Sequence, residues 1–324
     1  MASEVLYLSR ADVEQVGLPM EEIITAVEAV FREKAEGRVE MPAKIGIHPI
    51  PDAYLRAMPA YVHSVPVAGV KWVAKFNDNP SLGLPTISGL LILNDPATGL
   101  PRAVMDCTWI TAKRTGAASA VAAKYLARSD AERLTVIGCG VQGRSHLEAM
   151  LVQFPGIRRV VAYDQRPAAL TRYVQEMQAR RGVSVRAATD CESAVREADI
   201  LVTATEILKQ PRPVIRPEWI RPGACCMPID FDAQFTPEAV RAMDLFYTDD
   251  TVQMEYYRGL GYFDNLPDVQ GELGEVVAGR KPGRTGPTQR TLCMPLGLAI
   301  EDMVTAFRVY ERARAQGIGV RLPL

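Results

Sequence analysis

Leu134-Thr-Val-Ile-Gly-Cys-Gly-Val-Gln-Gly143 is the stretch that decides the fold of this 324-residue chain. The apolar run 134–137 predicts a strand, and the residues after the last glycine have the spacing of a helix. Between them, Gly138 permits a tight turn, Gly140 lets phosphates approach the backbone, and Gly143 lets the helix pack closely on the sheet. The helix then points its unbonded N–H groups at those phosphates.

The surroundings of this turn strengthen the interpretation, because a lone pattern of three glycines is weak. A second strand-like run, 159–163, is followed at once by Asp164, about 20 residues after the last glycine, where an acid that binds a ribose 2′-hydroxyl is expected. Strand, turn, helix, strand and acid in this order predict a dinucleotide site and favour NAD. Arg166 lies close enough to bind a 2′-phosphate, so NADP remains an alternative.

Strands and helices alternate along the chain from residue 133 onward. We expect strands near 134–137, 159–163, 183–187, 200–204, 224–227 and 244–247. The alternation predicts an α/β fold of Rossmann type, a doubly wound parallel sheet covered on both faces. The residues expected to contact the cofactor are Gly138, Gly140, Val141, Gln142, Gly143, Asp164, Arg166, Thr203, Ala204 and Thr205.

The first third of the chain has a different pattern. Residues 10–36 have helical periodicity, whereas strand-like runs separated by turns fill much of 54–107. These features predict an α+β domain with a mostly antiparallel sheet. An amphipathic helix over 298–316 is expected to return to this domain.

Two domains follow from these patterns. We expect an α+β substrate-binding and dimerisation domain at 1–113, completed by about 300–324. A NAD(P)-binding Rossmann domain is expected at 114–299. A chain of 324 residues is long enough for both.

Composition narrows the class of protein. The chain has 37 lysine and arginine residues against 38 aspartate and glutamate residues, so no basic face for nucleic acid is expected. Its six cysteines include no CxxC pair, which favours reduced thiols and predicts no metal site. The first residues lack the pattern of a signal peptide, and no apolar run is long enough to span a membrane. A cytoplasmic protein that does not bind membranes is expected.

Four cations of the first domain lie in apolar or strand-like surroundings: Lys44, Arg56, Lys71 and Arg114. A cation buried without a partner is costly, so such residues pair internally, extend to water, or bind an anionic ligand. If they meet in one place, they suit a carboxylate substrate, because arginine can bind a carboxylate through two hydrogen bonds. Lys75 is a further candidate on the same strand face as Lys71.

Several motifs resemble the ornithine cyclodeaminase/mu-crystallin family over nearly the whole chain. They are Met58-Pro-Ala-Tyr, Gly69-Val-Lys-Trp-Val, Asp95-Pro-Ala-Thr-Gly-Leu-Pro, Thr111-Ala-Lys-Arg-Thr-Gly-Ala-Ala and Gly297-Leu-Ala-Ile-Glu-Asp. The resemblance implies a homodimer of two-domain subunits that uses NAD(P)(H). Members include ornithine cyclodeaminases, alanine dehydrogenases, ketimine or imino-acid reductases, and a thyroid-hormone-binding crystallin.

The resemblance also implies roles for single residues. Lys71 and Arg114 match the positions that bind the substrate carboxylate, and Lys44 matches a further cation of the family. Asp232 aligns with the acid near the reacting amine, although Asp230 is an alternative, and on a strand both would share a face. Arg56 stands where cyclodeaminases have a glutamate, as in the alanine dehydrogenase branch.

These residues predict an NAD(P)-dependent oxidoreductase acting on the C–N bond of a small amino acid or its imine. Asp232 or Lys71 would exchange protons with the nitrogen or with water. An ornithine cyclodeaminase without net redox change is the alternative enzyme, and a crystallin-like binding protein is the alternative of another class.

Glu301 and Asp302 are interpreted only as stabilising the start of the last helix.

Overall fold

The computed structural model describes residues 4–51 and 53–324. The helices are α1 Arg10–Gln15, α2 Met20–Ala35, α3 Thr108–Leu126, α4 Val141–Gln153, α5 Pro167–Arg181, α6 Cys191–Arg196, α7 Pro237–Arg241, α8 Thr251–Gly259, α9 Leu273–Val277 and α10 Ala299–Gln316. The strands are β1 Glu4–Leu8, β2 Val39–Glu40, β3 Ile45–Ile47, β4 Tyr54–Val62, β5 Val67–Lys75, β6 Ile87–Asn94, β7 Pro101–Asp106, β8 Arg133–Ile137, β9 Arg159–Tyr163, β10 Ser184–Ala187, β11 Ile200–Thr203, β12 Cys225–Pro228, β13 Leu245–Thr248, β14 Gly271–Glu272, β15 Thr291–Met294 and β16 Val320–Pro323.

The chain divides into two compact units. Unit 1 comprises residues 1–114 and 298–324, and unit 2 comprises residues 115–297. Within the described residues, no helix is both long enough and apolar enough to cross a bilayer.

Unit 1 contains an eight-stranded sheet in the order β16-β1-β7-β6-β5-β4-β2, with β3 also paired to β4. Its strands are antiparallel to their neighbours except where β1 pairs with β7 in parallel. The predicted α+β unit with a mostly antiparallel sheet is therefore confirmed. Residues of β4 to β6 alternate between two faces, as a pleated sheet requires.

One face of this sheet carries α10, which packs on β4 and β5 and also contacts α2. Lys71 lies on this covered face, directly opposite Met58 of β4 and Leu91 of β6. These neighbours leave only 1% of the Lys71 surface exposed. The sheet therefore places a charged side chain among apolar ones.

The prediction of a single helix over residues 10–36 is wrong, because this segment forms two helices, α1 and α2. Gly17 has a φ of 62°, a left-handed conformation that ends α1, and Pro19 occupies the N-cap position of α2. The short strands β1, β2, β3, β14, β15 and β16 were also not expected from the sequence.

Unit 2 contains a parallel eight-stranded sheet in the order β10-β9-β8-β11-β12-β15-β13-β14. β8 pairs with β9 on one side and with β11 on the other, so the chain reverses its direction of travel across the sheet next to β8. This is the topological switch point at which doubly wound sheets bind ligands, beyond the carboxyl ends of the strands. The predicted Rossmann-type fold is confirmed.

Candidate active site

The glycine turn lies where β8 ends and α4 begins. Gly138 has a φ of 96°, which suits glycine alone, and Gly140 is the N-cap of α4 without a capping side chain. A Cβ on Gly143 would lie 2.2 Å from the carbonyl oxygen of Gly138, whereas a Cβ on Gly140 would meet no atom within 4 Å. Gly143 therefore permits close packing, and Gly140 leaves open space in front of the helix N-terminus.

Asp164 follows β9 and lies beside this turn. One carboxylate oxygen accepts the backbone N–H of Cys139 at 2.9 Å, and the other accepts the backbone N–H of Arg166 at 2.9 Å and its Nε at 3.3 Å. Burial opposes ionisation of Asp164, but these hydrogen bonds outweigh it and lower its pKa. The acid is thus held ionised at the edge of the turn.

These residues line a cavity of about 760 Å³ within unit 2, a size within the usual range for small-molecule pockets. Of the predicted cofactor-binding residues, the cavity brings together Gly138, Gly140, Asp164, Arg166, Ala204 and Thr205. Val141 is exposed in the first turn of α4, whereas the Oε1 atom of Gln142 is buried with no hydrogen-bond partner among the described residues. An open glycine N-cap beside an ionised acid fits a dinucleotide.

Arg144 is a residue of this turn that the sequence analysis missed. Its Nη1 donates to the carbonyl oxygens of Cys139 at 2.5 Å and Gly140 at 3.1 Å, and its Nε donates to Glu176 at 2.8 Å. Because Asp164 binds the N–H of Cys139, the turn is fixed through both its donors and its acceptors. An arginine one residue after the third glycine was the available signal.

Asp230 and Asp232 lie after β12, and the expectation that they share a strand face is wrong. The strand ends at Pro228, and Phe231 between them has a φ of 61°. Asp230 is fully buried and accepts hydrogen bonds from the Thr203 hydroxyl at 2.5 Å and from the Thr205 backbone and hydroxyl at 3.0 and 2.5 Å. Asp230 therefore fixes the end of β11.

Asp232 has a different environment. Its Oδ2 accepts the N–H of Phe263 at 3.1 Å, while its Oδ1 is buried without a hydrogen-bond partner among the described residues. Burial raises the pKa of Asp232. Of the two acids, Asp232 is the one with an oxygen that has no hydrogen-bond partner among the described residues.

Lys71 and Arg114 meet in unit 1 at one carboxylate. The Nζ of Lys71 lies 2.6 Å from Oδ2 of Asp302, and the Nε of Arg114 lies 3.0 Å from Oδ1 of the same residue. Arg114 also bonds Glu301 through Nη1 at 2.7 Å. We call Lys71, Arg114, Glu301 and Asp302 the buried charge cluster.

The interpretation of Glu301 and Asp302 as residues that only stabilise a helix start is incomplete. Both lie in the first turn of α10, and neither caps it. Both are fully buried, and their carboxylates bind the two cations instead. Two adjacent acids inside an otherwise apolar segment were the signal in the sequence, because buried acids need cationic partners.

Arg56 lies on the same sheet face as Lys71, since it stands two residues from Met58, the register partner of Lys71. Its guanidinium carbon lies 3.8 Å from the centre of the Tyr54 ring. A Cβ on Gly46, its register partner in β3, would lie 2.9 Å from its Cγ.

The two remaining candidate cations are Lys44, which lies just before β3, and Lys75, which lies at the end of β5. Lys44 is buried and lies just before β3, two residues from Gly46. Lys75 stands opposite Tyr54 in the register of β4 and β5, on the face of Lys71. Arg56, Lys71 and Lys75 therefore share one face of the unit 1 sheet.

The chain is similar to known proteins along nearly its whole length. The family model described as "Ornithine cyclodeaminase/mu-crystallin family" matches residues 4–317. An alanine dehydrogenase of Archaeoglobus fulgidus is 38% identical over 327 residues, which cover 98% of each chain. The nodulation efficiency protein NfeD of Rhizobium meliloti is 35% identical over 98% of each chain, and a Delta(1)-pyrroline-2-carboxylate reductase of Bacillus cereus is 32% identical over 82% of this chain and 83% of its own.

Solved structures show the same similarity. The Delta(1)-pyrroline-2-carboxylate reductase of Thermococcus litoralis, in complex with NADH and L-proline, has a TM-score of 0.88 and 34% identity, over 98% of this chain and 99% of its own. An archaeal alanine dehydrogenase dimer with bound NAD has a TM-score of 0.89 and 36% identity, over 99% and 100%.

Alanine substitutions at Gly140 and Gly143 are expected to separate binding from folding. Gly143→Ala places a methyl group against the carbonyl of Gly138 and should cost ~1–3 kcal/mol of unfolding free energy. Gly140→Ala meets no neighbour, so its melting temperature should stay unchanged while NADH affinity falls. Thermal unfolding and fluorescence titration with NADH measure the two effects. Equal losses of stability in both variants would contradict this assignment.

Proposed function

Because the chain belongs to the ornithine cyclodeaminase/mu-crystallin family, we propose that it is an NAD(P)-dependent oxidoreductase acting on the C–N bond of a small amino acid or its imine. The family resemblance drawn from the motifs is confirmed. The relatives named as alanine dehydrogenase and pyrroline-2-carboxylate reductase support this reaction type. Balanced charge and free cysteines support a cytoplasmic location.

The observation that carries the proposal is the meeting of Lys71 and Arg114 at one buried carboxylate. Two cations held this close in apolar surroundings suit an anion that carries a planar carboxylate. Arg56 stands on the same sheet face as Lys71, Lys44 lies just before β3, and both are proposed to contact the same substrate. Charge-assisted hydrogen bonds of this kind contribute about 1.5–3 kcal/mol each.

We assign the proton exchange to Asp232. Its raised pKa and unpartnered oxygen support a role as the acid that protonates the substrate nitrogen during imine reduction and accepts a proton in the reverse direction. Lys71 is the alternative, because burial lowers its pKa to about 8. The nicotinamide, when bound, supplies or accepts the hydride.

Unit 2 is the proposed cofactor-binding unit, and unit 1 the proposed substrate-binding unit. Cofactor-binding roles are proposed for the glycine turn with Val141 and Gln142, for Asp164 and Arg166, and for Thr203, Ala204 and Thr205. The ionised carboxylate of Asp164 favours NAD, since it would repel a 2′-phosphate. Its ion pair with Arg166 keeps NADP as the second candidate.

A cyclodeaminase is disfavoured by one residue. Arg56 reverses the charge of the glutamate that the resemblance assigns to cyclodeaminases, so it opposes the second amino group of ornithine. A binding protein without turnover is disfavoured by Asp232, because a buried oxygen without a partner costs stability and a role in proton exchange explains why it is retained.

A cofactor-coupled screen tests the reaction type. Purified protein with NADH or NADPH receives 2-oxo acids plus ammonia or methylamine, cyclic imines, or ornithine, while absorbance of the reduced nicotinamide is followed. Net oxidation of NADH with an oxo acid plus amine, or with a cyclic imine, is expected. Proline and ammonia from ornithine without net NADH change would instead identify a cyclodeaminase, and absence of turnover with every substrate would favour a binding protein.

Substitutions of the two aspartates after β12 are expected to have different effects. Asp232→Asn should lower kcat for imine reduction by about 100-fold or more at an unchanged melting temperature. Asp230→Ala should instead lower the unfolding free energy by ~1–3 kcal/mol, because it leaves the buried donors of Thr203 and Thr205 without an acceptor.

The same comparison includes a pH dependence. Because burial raises the pKa of Asp232, the residue keeps its proton to higher pH than an exposed aspartate does. Imine reduction by the wild type is therefore expected to slow as pH rises through that pKa. Asp232→Asn should lose this limb of the pH profile, and a profile unchanged by the substitution would refute the assignment.

We also propose that the second face of the unit 1 sheet forms a homodimer. Ile45, Ala57, Trp72 and Leu90 are register partners in a row across β3 to β6. Trp72 and Leu90 remain 42% and 44% exposed. A continuous apolar row on a sheet is typical of a protein interface, and the archaeal alanine dehydrogenase relative is a dimer.

Charge introduced into this row should prevent dimerisation. Trp72→Glu or Leu90→Glu places a carboxylate in the apolar interface, so we expect a monomer by analytical ultracentrifugation at micromolar concentration. Val252→Glu, at an exposed apolar residue of α8, is the matched control and should remain a dimer. A dimer in all three variants would place the interface elsewhere.

A further inference from the structure

The buried charge cluster contains one carboxylate that binds both proposed substrate cations. Asp302 uses Oδ2 for Lys71 and Oδ1 for Arg114, whereas the contact of Glu301 is with Arg114. We propose that Asp302 is a positioning residue that holds the Lys71 ammonium beside the Arg114 guanidinium, so that both receive one substrate carboxylate. This inference rests on the carboxylate-binding role proposed for those two cations.

The geometry gives Asp302 this role because Asp302 and its two partners come from different parts of the chain. Lys71 belongs to β5, Arg114 to α3 and Asp302 to the first turn of α10. A lysine has a flexible four-carbon stem, and nothing in its own strand fixes its ammonium. A carboxylate 2.6 Å away on a packed helix does so.

The charge balance around Lys71 depends on the same residue. Burial, the largest cause, and the charge of Arg114 lower the pKa of Lys71, whereas Asp302 and Cys107 oppose the decrease, and together these effects give a pKa of about 8. The Nζ also donates to the hydroxyl of Thr111 at 3.4 Å. The strand neighbours Met58 and Leu91 carry no charge.

Asp302 thus keeps Lys71 protonated near neutral pH. A neutral amine would contribute little to the binding of an anion. The position and the charge of Lys71 are therefore both set by a residue that is itself fully buried.

Adjacent substitutions in α10 provide the test. Asp302→Asn removes the charge that faces Lys71, and Glu301→Gln, the matched control, removes a charge that faces Arg114. A lysine with a pKa of about 8 when folded and about 10.4 when unfolded binds fewer protons in the folded chain between those values. The unfolding free energy therefore rises with pH across that window.

Loss of the Asp302 charge should move the start of this rise to lower pH by about one pH unit or more. Glu301→Gln should move it less. In a Lys71→Met background, Asp302→Asn should no longer displace the profile. These profiles come from denaturant unfolding between pH 6 and 10 and require no turnover. Identical profiles for the wild type and Asp302→Asn would refute the electrostatic part of the proposal.

Pyruvate affinity tests the positional part. Isothermal titration of the protein–NADH complex with pyruvate should show at least about tenfold weaker binding in Asp302→Asn. Asp302→Glu keeps the charge on a longer stem, so we expect the stability profile to be retained while pyruvate affinity falls. This variant also provides the test if Asp302→Asn does not fold. Wild-type pyruvate affinity in Asp302→Glu would overturn the positioning role.

The two proposals can fail separately. A displaced stability profile and weakened pyruvate binding, without NADH oxidation in the substrate screen, would support the positioning role and reject the oxidoreductase. NADH oxidation with an unchanged stability profile and unchanged pyruvate affinity would do the opposite.

Discussion

The attraction between the Asp302 carboxylate and two buried cations is the interaction on which the proposed substrate chemistry depends. Lys71 and Arg114 are almost fully buried, and burial of isolated cations would cost several kcal/mol each. Asp302 and Glu301 compensate both charges, so the cluster contains two positive and two negative groups. The substrate would thus meet an arrangement that is already ordered, which lowers the entropy cost of binding.

The same logic of prior ordering applies to unit 2. Asp164 and Arg144 bind the donors and acceptors of the glycine turn, and α4 begins without a capping side chain. The first N–H groups of α4 therefore need no rearrangement to meet a phosphate. In both units, the groups proposed to bind ligands are thus held in place by neighbouring side chains.

Much of unit 2 could be predicted from the sequence because its signals are local. The turn after β8 and the acid after β9 lie within about 30 residues and follow a spacing that the chemistry of a dinucleotide imposes. The bond from Arg144 to the turn could not be predicted, because an arginine at that place also suits an exposed helix surface. β15, Thr291–Met294, was missed because glycine and proline residues lie on both sides of it, which favours a loop.

The contacts of unit 1 were harder to predict from the sequence, because they join residues that lie far apart along the chain. The four cations were predicted from their apolar surroundings. Their acidic partners could not be, because Glu301 and Asp302 lie more than 180 residues after Arg114 and still further from Lys71. The choice between Asp230 and Asp232 required knowledge of the backbone conformation. Phe231, which lies between them, has a left-handed φ, so the two residues are not related as neighbours on one strand face. Periodicity describes a regular strand and fails where the strand has ended.

The surroundings of Arg56 have a consequence for how new substrate preferences arise in this family. Gly46 contributes no side chain there, and the guanidinium carbon of Arg56 lies 3.8 Å from the centre of the Tyr54 ring, so a glycine and an aromatic ring are two of its neighbours. If Arg56 contacts the substrate as proposed, a substitution at this one position reverses the charge that the substrate meets. Acid-binding and amine-binding descendants would be separated by a short evolutionary path.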